Sequence, residues 1–141
     1  MRVLVDTNII LDAFLEREAF VQDAKTLLTA IKSQQIEGYV AATTLTDIFY
    51  IVIKKTKSLE RAREAVSMTL ALMEICDVNS NILETAFASN LRDFEDAVQL
   101  VCAYAENLDA IITRNADDFV DASLPILSVQ QLFEQSAPMD N

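Results

Sequence analysis

The chain has 141 residues, 52% of them hydrophobic, which suits one domain with a sizeable core. Its 22 acids against 11 bases give a formal net charge of −11, which excludes broad electrostatic attraction to nucleic acid or anionic membranes. The absence of His excludes His-based metal sites and His general bases, and the single Gly excludes a glycine-rich phosphate loop and argues against a turn-rich all-β fold.

The apolar run Arg2–Val5 predicts a first strand, buried on both faces because its residues are β-branched and aliphatic without alternation. Asn8–Leu15 and Glu18–Gln34 predict helices, the second with an apolar stripe at Ala24, Leu27, Leu28 and Ile31. Gly38 is expected to punctuate a turn into a short strand, Tyr39–Ala42, and Thr43 or Thr44 to cap a helix running to Lys55. Leu59–Leu72 predicts a helix and Ile75–Val78 a strand; Asn79 or Ser80 caps a helix to Ser89, and Asp93–Asn107 is helical again. Strands at Ala110–Thr113 and, after Pro125, at Ile126–Ser128 precede a closing helix, Val129–Gln135. The alternation predicts an α/β fold, a parallel central sheet flanked by helices on both faces. One domain is expected over residues 1–135, with 136–141 a frayed tail.

Cys76 and Cys102 lie in apolar stretches without metal-ligand spacing and read as buried free thiols. Neither a leader nor a membrane-length apolar run stands out, so the expectation is a soluble, cytoplasmic protein without a membrane partner.

Three acids stand out by position. Asp6 ends the first strand, where open α/β sheets place their ligands. Asp47 lies in the first turn of the helix after the second strand, and Asp96 in the first turns of the helix before the fourth. Each also has a plain structural reading. Asp6 can close a turn on its own backbone. Asp47 stands three residues after Thr44, as in a capping box, and acids such as Asp93 and Asp96 suit a helix N-terminus.

The ordered set Asp6-Thr7-Asn8, Asp93-Phe94-Glu95-Asp96-Ala97-Val98-Gln99 and Ile111-Ile112-Thr113-Arg114-Asn115-Ala116-Asp117-Asp118-Phe119 strongly resembles the PIN-domain family over nearly the whole chain. Within that family it is most like the VapC-like toxins of bacterial toxin–antitoxin pairs. The resemblance implies a three-layer α/β/α PIN fold and an Mg²⁺- or Mn²⁺-dependent endoribonuclease. It implies that Asp6 and Asp96 are catalytic metal-binding acids, and that Asp47 stands where the family usually has Glu, one methylene longer. The fourth acidic position falls on neutral Asn115, with Asp117 and Asp118 close by as substitutes. Thr113 resembles a hydroxyl residue that bonds into this site, and Thr7 and Asn8 support Asp6. The resemblance also implies a cognate antitoxin partner and a homodimer, both docking on helices of the first half.

Clustered carboxylates suit this chemistry. Mg²⁺ takes hard oxygen ligands in near-octahedral geometry. Without a cation the charges repel and raise one or more pKa values; with one, the pKa of water falls and a nucleophile becomes available at neutral pH. A neutral Asn115 weakens a two-metal version.

RNA contact must overcome the net charge. Lys54, Lys55, Lys57, Arg61 and Arg63 fall in one ten-residue window and are either a phosphate-contacting patch or the cationic end of a helix. Arg114 is either a phosphate contact or the partner of Asp117 or Asp118. Phe14, Leu15 and Phe20 with Ile48, Phe49, Ile51 and Val52 are either core or a partner groove.

The alternative to a nuclease is a PIN-fold binding or assembly module that has lost turnover, motivated by Asp47 and Asn115. A haloacid-dehalogenase-like phosphatase would need a second Asp where Asn8 stands, and a receiver-like phosphoacceptor would need a Lys ending a late strand.

Overall fold

The computed structural model describes residues 1–136, and five strands among them form one wholly parallel sheet. Strand β1, Arg2–Val5, lies at its centre, flanked by β2, Glu37–Ala41, and β4, Ala110–Ile112; β3, Glu74–Cys76, and β5, Ile126–Leu127, form the edges, giving the order β3-β2-β1-β4-β5. The register pairs Leu4 with Tyr39 on one side and with Ile111 on the other.

The period-2 alternation of the strands divides the core. Val3, Val5, Val40, Ala110 and Ile112 face helices α1 (Thr7–Phe14), α2 (Val21–Lys32), α3 (Ala42–Thr56), α4 (Leu59–Leu72) and α7 (Val129–Ser136). Leu4, Tyr39, Ala41 and Ile111 face α5 (Ser80–Phe87) and α6 (Phe94–Ala105). The expected sheet with helices on both faces is thus observed. Cys76 and Cys102 are buried free thiols of the second layer, pushed by desolvation up to about 12 and about 11. Of the tail expected over 136–141, Ser136 ends α7 and the rest lies outside the described residues.

The chain builds outward from β1 to β2 and β3, then returns across the sheet to β4 and β5. The direction therefore reverses between β1 and β4, and the carboxyl ends of those two strands border the crevice that parallel α/β sheets use for ligands. Asp6 follows β1 there, its amide donating to the Ile112 carbonyl at 3.0 Å, and Thr113 follows β4.

Two local expectations are corrected. Gly38 is not a turn residue but the second residue of β2, opposite Val3. A Cβ there would lie 2.6 Å from Ile31 Cδ1 and 2.7 Å from Met73 Sδ, so the glycine admits the α2 and α4 ends close to the sheet. Neither Thr43 nor Thr44 caps α3: the helix starts at Ala42 and its cap residue is Ala41, which makes no side-chain cap hydrogen bond. Elsewhere the capping signals hold, with Asn79 accepting from the Ile82 amide and Asp93 from the Asp96 amide. A 3-10 turn, Ala116–Asp118, had no counterpart in the predicted elements.

Candidate functional site

Asp6 is 5% exposed and sits at the cap of α1, yet it makes no capping hydrogen bond; the turn-residue reading is not what holds it. Its Oδ2 accepts from the Thr113 hydroxyl at 2.8 Å and its Oδ1 from Gln99 Nε2 at 3.3 Å. A nearly buried carboxylate is expensive unless its oxygens find donors. Here β4 and α6 each supply one. Gln99 is itself buried, and its Oε1 has no hydrogen-bond partner among the described residues.

Asp96 lies one helical turn before Gln99, on the same face of α6. Its carboxyl is pushed up to about 7, first by desolvation and then by the charges of Asp93, Asp6 and Asp118. Asp6, Asp96 and Asp118 therefore share one field at the carboxyl edge of the sheet. Asp118 is the residue of the 113–118 segment whose charge reaches Asp96. Asn115 donates its amide to Thr113 Oγ1 at 3.1 Å and accepts from the Asp118 amide at 3.0 Å, shaping the turn that carries Asp118.

Asp47, on α3, lies close enough to Glu95 for its charge to act on that carboxyl. Glu95 is pushed up to about 7, first by desolvation at this partly buried contact and then by Asp47. The Thr7 hydroxyl donates to Glu95 Oε1 at 3.3 Å and lies 3.0 Å from the Thr44 hydroxyl, which joins the starts of α1 and α3. The structure thus brings Asp6 and Asp96 together and adds Glu95 beside Asp47. Among the described residues, no three acids converge closely enough to hold one ion as the side chains stand. In chemistry the donor set fits a hard divalent cation: carboxylate oxygens, an unpartnered buried amide oxygen, and no thiolate or imidazole.

Several residues fall outside this crevice. Arg114 pairs neither with Asp117 nor with Asp118. Its Nε lies 2.9 Å from Asp12 Oδ2 and its guanidinium stacks 4.0 Å from the centroid of Phe20. Asn8 accepts from Arg17 Nη1 at 3.2 Å and belongs to that same basic cluster. Lys54 and Lys55 are exposed in the last turn of α3, and Lys57 ends the helix in a left-handed conformation with φ 57°. They lie at the far end of α3 from Asp47, with Lys57 about 15 Å along the axis at the helical rise.

Of the apolar residues in question, Ile48 and Val52 are fully buried, while Phe14, Leu15, Phe49 and Ile51 pack half-buried against the core. An open groove of about 1110 Å³ runs along α4 beside Phe49 of α3, lined by Leu59, Val66, Met68 and Leu70 together with the charged Glu60, Arg63 and Glu64. No helix among the described residues is long and apolar enough to cross a membrane.

Two residues of the site, Gln99 and Glu95, and the buried Asp12 beside it were not singled out by sequence. Gln99 is a polar residue inside the apolar run of α6, one turn from Asp96. Asp12 interrupts the apolar run Ile9–Ala13 and is 1% exposed, so it required a cationic partner. Glu95 gave no separate signal, because acids are ordinary in a first helical turn.

A family model described as PIN domain matches residues 2–117. The Ribonuclease VapC1 of Aquifex aeolicus (strain VF5) is 24% identical over 141 residues, covering 95% of this chain and 94% of its own. The crystal structure of VapBC2 from Rickettsia felis, bound to a DNA fragment from its promoter, shares the fold with a TM-score of 0.68 at 19% identity, covering 91% of this chain and 98% of its own. A toxin–antitoxin complex from Klebsiella pneumoniae superposes with a TM-score of 0.65 at 25% identity, covering 90% and 97%.

Proposed function

The chain belongs to the PIN-domain family, and on that premise we propose that it is a divalent-metal-dependent endoribonuclease, the toxin of a toxin–antitoxin pair. The observation that carries this reading is Asp6, nearly buried at the β1/β4 switch point, held by Thr113 and Gln99 and in the field of Asp96. The name of the Aquifex relative supports RNA as substrate, and the Klebsiella complex supports an antitoxin partner.

Asp6 and Asp96 would hold Mg²⁺ or Mn²⁺, with Asp118 as the acid contributed by the segment after β4 and Asp47 with Glu95 flanking. Bound there, the cation supplies Lewis acidity, activating water and offsetting the charge of the phosphodiester. The chain's own contributions are distinct. Thr113 and Gln99 fix both oxygens of Asp6, leaving its remaining lone pairs directed by two rigid elements. Partial burial of Asp96 strengthens its interaction with any cation relative to water. The exposed Lys54, Lys55 and Lys57 would draw the RNA backbone along α3 against the overall negative charge. The groove along α4 supports the docking of an antitoxin helix or a second copy of the chain.

A second reading keeps the fold and drops the turnover. It rests on Asp47 facing Glu95, with a neutral Asn115 in place of a fourth acid. Cleavage of end-labelled RNAs and single-stranded DNAs with Mg²⁺, Mn²⁺ or EDTA, run beside Asp96→Asn, separates the two. Metal-dependent cuts in RNA that the variant loses are the expected result. No cuts under either metal, together with no site in an Mn²⁺ titration, would leave the binding module.

A further inference from the structure

The cluster formed by Asp12, Arg17, Arg114 and Phe20 lies outside the acidic crevice and takes no part in the chemistry above. Asp12 is 1% exposed, and both of its oxygens are engaged. Arg114 Nε reaches Oδ2 at 2.9 Å, while Arg114 Nη2 and Arg17 Nη1 reach Oδ1 at 3.3 and 3.1 Å. The fork of Arg114 is thus bidentate, a geometry that fixes orientation as well as charge. Phe20 stacks against the same guanidinium.

The two partners sit at informative places. Asp12 is on α1, whose cap is Asp6. Arg114 directly follows Thr113, the donor to Asp6 Oδ2, and directly precedes Asn115 and the turn that carries Asp118. From Thr113 the chain runs fifteen residues to the next helix with only the 3-10 turn and the two-residue β5 between. Thr113 itself is held to β5 by its amide's bond to the Leu127 carbonyl at 2.9 Å, but the residues after it have few ladder bonds, and side-chain anchors contribute to their placement.

We infer that the Asp12–Arg114 ion pair is a positioning device that clamps the 113–118 segment to α1, setting Thr113 and Asp118 in register with Asp6, and that Arg114 is therefore not a phosphate contact. The inference rests on the proposed metal site for its catalytic consequence, but the clamp itself is a statement about the segment.

The test compares Arg114→Gln with Arg17→Gln in the full chain. Each removes one guanidinium from Asp12 and leaves the other to balance its charge, so both variants are expected to fold; only Arg114 is part of the segment. Hydrogen exchange at the Thr113 and Asn115 amides reads the clamp directly. Mn²⁺ titration and the separation of kcat from the KM for RNA read its consequence. Arg114→Gln should speed exchange at both amides, weaken Mn²⁺ binding roughly tenfold or more, the scale on which residues behind metal ligands act, and lower kcat with KM unchanged. Arg17→Gln should leave exchange and Mn²⁺ affinity as they are. Unchanged exchange in Arg114→Gln would overturn the inference, as would a raised KM with Mn²⁺ affinity intact, which would make Arg114 a phosphate contact. If the native chain takes no Mn²⁺, the proposed function fails, and the exchange comparison alone decides the clamp.

Discussion

Thr113 Oγ1 donates to Asp6 Oδ2 at 2.8 Å across 107 positions of sequence, tying the end of β4 to the end of β1. Both groups are buried. A hydrogen bond to an ionised group is worth about 1.5–3 kcal/mol, and Val matches Thr in shape while lacking the donor. Thr113→Val should therefore lower stability by about 2 kcal/mol and reduce metal-dependent cleavage by roughly 10- to 100-fold, as loss of a residue orienting a ligand does. Denaturant melts and cleavage rates at saturating Mg²⁺ check both. A variant with native rates would show that Asp6 needs no help from β4.

Asp96 sets the pH dependence. Its carboxyl is raised to about 7 in the folded protein by burial and by Asp93, Asp6 and Asp118. The folded state therefore holds a proton that the unfolded chain releases at the ordinary carboxylate range near pH 4. Stability is full below that range, falls as pH climbs from about 4 to about 7, and is flat above. Glu95, also raised to about 7, adds in the same sense. Melting temperature without metal should be lower at pH 8 than at pH 5, and Asp96→Asn should remove part of the difference. Mg²⁺ should restore stability at pH 8 and do little at pH 5, where protons compete for the ligand. A melting temperature independent of pH over this range would show that Asp96 is not strained by its neighbours.

The sheet was legible in sequence because strands buried on both faces are written as unbroken apolar runs, as at Val3-Leu4-Val5 and Ala110-Ile111-Ile112. Asp6 and Asp96 were legible as positions, since one ends a strand and the other opens a helix. What escaped was set by tertiary contact. Asp12 and Arg114 are 102 residues apart, and nothing local to either chose Asp12 over the nearer Asp117 and Asp118. Gly38 read as a turn because glycine usually marks one; its reason is the side chains of Ile31 and Met73 packed above it. Thr44 read as a cap, but its hydroxyl is spent on Thr7.

The lysines at the end of α3 make a separable claim. Lys54, Lys55 and Lys57 are exposed and remote from the acids, so they can influence RNA only through its backbone. Each phosphate neutralised on a single strand contributes about 0.7 to the slope of log affinity against log salt. Changing all three to Gln should lower that slope by up to about 2 and weaken RNA binding at low salt. Mn²⁺ affinity should not move. Fluorescence anisotropy of labelled RNA across a salt series measures it, and an unchanged slope would make the lysines the solvated end of a helix.

Asp47 and Glu95 test whether two acids on α3 and α6 share the work that the resemblance implies for one longer acid. Burial and the charge of Asp47 both raise the cost of ionising Glu95. Glu95→Gln should thus stabilise the metal-free protein at pH 8, where the pair repels, and change little at pH 5. If Glu95 serves the cation, the same variant should weaken Mn²⁺ binding by roughly tenfold or more. Asp47→Glu in that background should recover part of the loss, because the added methylene restores reach from α3. Stabilisation at pH 8 with Mn²⁺ affinity intact would place Glu95 outside the metal site and leave Asp47 to act alone.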